Sequence, residues 1–144
     1  MTEPSTYSRP WLPMAVLVAM VYPAVGIAFA AFGNPSSSHQ AVIAWRLAAW
    51  IVSAAAFLLH LWHEHFRLFN PPLRAAVHVS VAVALGAFVL AAWVNLHGHW
   101  APPGRQNPLA PAALLLFPAI TGVPAFIAAF VGGALLVRIH PPRQ

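Results

Sequence analysis

The chain reads as an all-α integral membrane protein, a four-helix bundle with antiparallel up-down topology, in one domain spanning residues 1–144. Three observations lead there. Four apolar stretches, at residues 12–32, 41–61 (running on to 69), 73–96 and 109–137, each reach the roughly 20 residues that a helix needs to cross ~30 Å of hydrocarbon. Charged residues make up 6% of the chain, against about 25% in soluble domains, so no polar shell can be built around a soluble core. Proline and glycine stand between the stretches, which makes them separate helices rather than fewer, longer ones.

The first span carries no ionisable residue. It follows Arg9 and ends at Gly33-Asn34-Pro35. Ala28-Phe29-Ala30 has the small-x-small form of a signal-peptidase site, but the apolar run is long for a secretory segment, so a retained helix is expected. The second span leads through Asn70-Pro71-Pro72 into the third, a tight turn. Ala101-Pro102-Pro103-Gly104 precedes the fourth, and Pro141-Pro142 stops it. Pro118 and Pro124 inside span four each free a backbone carbonyl, for which Thr121 is a local donor.

Arginine sets the orientation. Arg9, Arg67, Arg74, Arg138 and Arg143 fall on one side of the four spans, and Arg46 and Arg105 on the other. The positive-inside rule then puts both termini in the cytoplasm. Trp11, Trp45, Trp62, Trp93 and Trp100 fall near span ends, the depth that indole rings prefer. Abundant alanine with no lysine points to a GC-rich bacterial genome and hence to the inner membrane.

Composition also removes function classes. The sequence pI of 11.6 reflects scarce acids, Glu3 and Glu64, rather than dense bases. Seven arginines spread over the chain make no stripe for phosphates, so nucleic acid is not an expected partner. Absent cysteine removes disulfides and thiolate chemistry, absent aspartate removes a Ser-His-Asp triad, and no glycine-rich phosphate loop occurs.

The remaining polar groups share helix faces. In span two, Arg46, Trp50, Ser53, Phe57, His60, Glu64 and Arg67 recur at steps of three and four. In span three, Arg74, His78, Val81, Leu85, Phe88, Ala92, Asn95 and His99 do the same. Hydrocarbon offers such groups no partner, so the two stripes are expected to face each other. Counting outward from Pro71 predicts two groupings. The cytoplasmic one holds His60, His63, Glu64, Arg67, Arg74 and His78, with Glu64 paired to Arg67 or Arg74. The outer one holds Arg46, Asn95, His97 and His99, with His39 nearby.

The leading expectation is a non-catalytic membrane protein, either an accessory subunit of a larger membrane complex or a self-associating homo-oligomer. Small residues at close-approach spacing motivate it: Ala76, Ser80 and Ala84, then Ala87 and Ala91, and the run from Ser53 to Ala56. The alternative is a redox protein. His60, Glu64 and His78, with His63 as a further ligand, match the two-histidine-one-carboxylate chemistry of zinc or a non-haem metal, and two histidines could instead ligate a b-type haem. A third reading is a small proton-coupled transporter working through Glu64. Its weakness is that no span carries an ionisable group at its midplane.

Overall fold

The structure is a computed structural model that describes residues 11–32, 38–99 and 110–139. Those residues form four helices: α1 (Leu12–Phe32), α2 (His39–Phe66), α3 (Pro72–His99) and α4 (Ala110–Ile139). All four are long and apolar enough to cross a membrane. Arg9, Trp100, Arg105, His140, Arg143 and the Gly33-Asn34-Pro35 and Ala101–Gly104 breakers lie outside the described residues, as does the side chain of His99.

The helix limits follow local chemistry. α2 starts two residues before the apolar run because Ser38 caps it, its Oγ accepting from the Ala41 amide at 3.3 Å. α3 opens on Pro72, whose missing N–H has no helical partner to lose at a first position. α2 ends with the Arg67 and Leu68 amides both on the His63 carbonyl, and the chain then reverses through Phe69 at a φ of 54°. That left-handed conformation is uncommon for a bulky residue.

α3 is the centre of the packing. Seven of the thirteen buried apolar residues belong to it: Ala75, Ala76, Val79, Ala82, Val83, Ala87 and Ala91. One side of α3 sets Ala75, Ala76 and Val79 against Leu61 of α2 and Ala129 of α4. Another sets Ala82 against Ala15 and Val18 of α1 and Ala56 of α2. With so little side chain between them, the helices lie close. The small residues of α3 expected to serve association between chains are therefore used inside this one, while Ala54 and Ala55 of the α2 run stay exposed. Ala76 is fully buried, Ala84 lies where a Cβ on Gly122 would stand 3.2 Å away, and the Ser80 hydroxyl donates to the Gly122 carbonyl at 2.9 Å.

Prolines inside helices explain one contact. Pro23 lacks an N–H, so the carbonyl four residues earlier, that of Ala19, loses its helical donor. That carbonyl presses on α3 at Gly86, where an added Cβ would stand 2.7 Å from the oxygen and 2.9 Å from Tyr22 Cβ. α4 continues through Pro118 and Pro124 as one helix. Thr121 Oγ1 donates to the Phe117 carbonyl at 2.8 Å, not to Leu114 or Ile120, whose donors the two prolines remove. The expectation for that hydroxyl is corrected accordingly.

The stripes of α2 and α3 meet only near their shared turn. There Ala56, His60 and Glu64 are buried. Further along the same side of α2, Arg46 is exposed and Trp50 is 76% exposed. Leu61 and Phe57 mark where α2 touches α3 and α4; beyond Phe57 the same flank, through Ala54, Trp50, Arg46 and Ile43, is bare. A gap thus opens between α2 and the α3–α4 pair. The far end of α2 is held instead by α1, through a Phe32–Trp45 stack at 5.1 Å.

Gly86→Ala should destabilise the fold by about 1–3 kcal/mol, because a backbone carbonyl cannot move aside as a flexible side chain can. Gly98→Ala, where nothing stands within 4 Å of an added Cβ, should be neutral or stabilising by up to ~1 kcal/mol. Denaturant unfolding in micelles, followed by circular dichroism, separates the two.

Candidate functional site

The Glu64 carboxylate is the polar centre of the molecule, and it is fully buried. Its Oε2 accepts from Asn70 Nδ2 at 2.6 Å and from His78 Nδ1 at 3.0 Å. Its Oε1 lies 3.6 Å from Nε2 of His60, one helical turn away and also fully buried. A carboxylate accepts and does not donate, so His78 carries its proton on Nδ1 here.

The turn puts Asn70 in place. Its main-chain amide donates to the Glu64 carbonyl at 3.1 Å while its side chain holds the Glu64 carboxylate. Asn70 thereby grips the last turn of α2 twice, and the positive φ of Phe69 is what swings it back far enough. His78 reaches the same carboxylate from α3. Its other face carries Trp11, stacked at a centroid distance of 4.2 Å with the rings 7° apart. One carboxylate therefore links α2, the turn and α3, and through the Trp11 indole it reaches α1.

Four buried atoms here make no hydrogen bond: both ring nitrogens of His60, Oε1 of Glu64 and the hydroxyl of Tyr22. Tyr22 packs on the group containing Ala56, one turn from His60. The unsatisfied atoms of His60 and Glu64 thus lie one turn apart on α2, and that of Tyr22 lies on α1.

The sequence expectations divide. His60, Glu64 and His78 come together. Arg74 does not join them; its side chain is exposed and pairs with no group among the described residues. The side chains on the Glu64 carboxylate are Asn70 and His78, with His60 beside it, rather than the expected Arg67. His63 lies half-buried outside these contacts. The grouping at the other end is not assembled. Asn95 Nδ2 donates to the Ala91 carbonyl at 2.9 Å, and His97 Nδ1 donates to the Trp93 carbonyl at 2.9 Å while its ring lies on Trp93. Asn95 and His97 thus fold back on their own helix, and Arg46 and His39 are exposed.

Two residues escaped the sequence reading. Asn70 stands in a turn motif that explains it without any ligand role. Trp11 has the position of an interfacial anchor, and nothing in its spacing marks it as the platform for His78.

The arrangement can fasten helices and hold a proton. No group of three or more histidine and carboxylate side chains among the described residues has an arrangement that could hold a metal ion. The two imidazoles address opposite oxygens of one carboxylate, which stands where a haem between them would have to lie.

Glu64→Ala strips the acceptor from both Asn70 and His78 and should cost about 2–5 kcal/mol. Asn70→Ala removes one donor and should cost about 1–3 kcal/mol. Arg74→Ala should leave stability unchanged. Unfolding midpoints in mixed micelles of rising SDS content rank the three. The chain matches no protein-family model, no curated protein and no solved structure, so its own geometry is the sole guide to what it does.

Proposed function

We propose that the chain is a non-catalytic subunit of a bacterial inner membrane, an up-down antiparallel bundle with both termini cytoplasmic, which assembles side by side with copies of itself. The support is the back of α2, the side turned away from His60. Ala44, Ala48, Ile51, Ala55, Leu58 and Trp62 follow one another at alternating steps of four and three, the spacing of a seam between paired helices. Every one is exposed, with Ile51 at 67% and Leu58 at 62%. Three alanines on that line let a second helix approach closely, which is what drives pairing where lipid tails are as apolar as leucine.

This line replaces Ala76, Ser80 and Ala84, which α4 already covers. The non-catalytic part of the reading rests on Glu64. As the one carboxylate among the described residues, it is engaged by Asn70 and His78 and turned away from any open surface. The short connections between helices leave little room for chemistry outside the bilayer.

The absence of native cysteine makes a clean test. Ala48→Cys in native membranes should oxidise to a product at twice the 15.4 kDa of the chain. Leu115→Cys, on the 80% exposed Leu115 of α4, should cross-link at least five-fold less. Equal cross-linking at the two positions would mean random collision, and a product of another mass would mean a different subunit on the same seam.

A further inference from the structure

We propose that a membrane phospholipid occupies the gap between α2 and the α3–α4 pair, with its phosphate on Arg46 and one acyl chain running down the bare flank of α2. This flank differs from the alanine seam, so the inference stands apart from self-association. Three observations carry it.

The first is charge. Arg46 is exposed and has no ion pair or hydrogen bond among the described residues. The only carboxylate among them, Glu64, lies eighteen residues along the same helix, about 27 Å away, and is engaged by Asn70 and His78. A countercharge for Arg46 has to come from outside these helices.

The second is depth. Arg46 is seven residues from the start of α2 at His39, about 10 Å of helical rise. An arginine stem of that reach lifts its guanidinium to the level of the lipid phosphates while its methylenes stay in hydrocarbon. The bilayer supplies phosphates at that level in large excess over any acidic side chain.

The third is length. The gap runs from Arg46 to Phe57, where α2 closes on α3 and α4, eleven residues or roughly 16 Å. Half of a ~30 Å hydrocarbon layer is about 15 Å, the span of one tail in one leaflet. Trp50, 76% exposed and midway along the flank, offers its ring to that tail. At the foot of the gap Phe57 and Leu61 seal the bundle, so the tail ends where the protein core begins.

The test titrates phosphatidylglycerol into the purified full chain in a mild detergent and counts bound lipid by native mass spectrometry. The wild type should hold one lipid per chain above the statistical background. Arg46→Gln should weaken that first step at least five-fold, and Arg74→Gln, which removes an equal charge from an exposed position at the other end, should leave it unchanged. Circular dichroism verifies that both variants are folded. Equal losses in the two variants would overturn the site, since charge alone would then explain binding. A stoichiometric protein partner released by Arg46→Gln, with no bound lipid, would overturn it in favour of an acidic membrane helix.

Discussion

A carboxylate removed from water must find its hydrogen-bond donors inside the protein, and the fold near the α2–α3 turn is arranged around that requirement. Isolated carboxylates are costly in a low-dielectric interior. Glu64 meets the demand with a side chain from the turn and an imidazole from α3, at 2.6 and 3.0 Å. Each donor comes from a different segment, so satisfying the charge fixes the path of the chain. The Trp11 stack on His78 extends the constraint to α1, whose residues otherwise offer no polar anchor. A positive φ at Phe69 costs roughly 1–3 kcal/mol, and the hydrogen bonds made by the returning Asn70 offset a cost of that size.

Away from that site the bundle is held by closeness rather than by bulk. The core is alanine and valine, with Leu61 the largest buried apolar side chain. Small residues bring the backbones together, and backbone atoms then become the contact surface. The Ala19 carbonyl on Gly86 and the Ser80 hydroxyl on the Gly122 carbonyl are two such contacts. The long side chains, leucine, isoleucine, phenylalanine and tryptophan, face outward instead. That inversion of the usual pattern fits helices surrounded by hydrocarbon, where no solvent drives large apolar groups inward.

Much of this was legible in the residues. Span one ends at the same two residues, Leu12 and Phe32, in sequence and structure, because its apolar run and its breakers coincide. The other limits shift by a few residues: α2 begins two residues early on its Ser38 cap and stops at Phe66, short of residue 69, while α3 and α4 run two or three residues past their expected ends. At the Glu64 site, His60 and His78 were readable from spacing. The arginines were not, because periodicity says which side of a helix a residue occupies but not whether a neighbour is present on that side. Arg46 shows the same limit: its stripe points toward the core, yet α2 has already parted from α3 and α4 at that height. Asn70 and Trp11 were out of reach because each has an ordinary explanation where it stands.

Phe69 carries one further consequence. Its ring is 69% exposed at the tip of the hairpin, where the backbone would be at ease with glycine. Glycine would relax the turn but remove its most exposed apolar side chain, leaving Leu73 beside it. The turn thus trades backbone ease for an exposed aromatic ring at the apex of the hairpin, directly before Asn70, a donor to the Glu64 carboxylate.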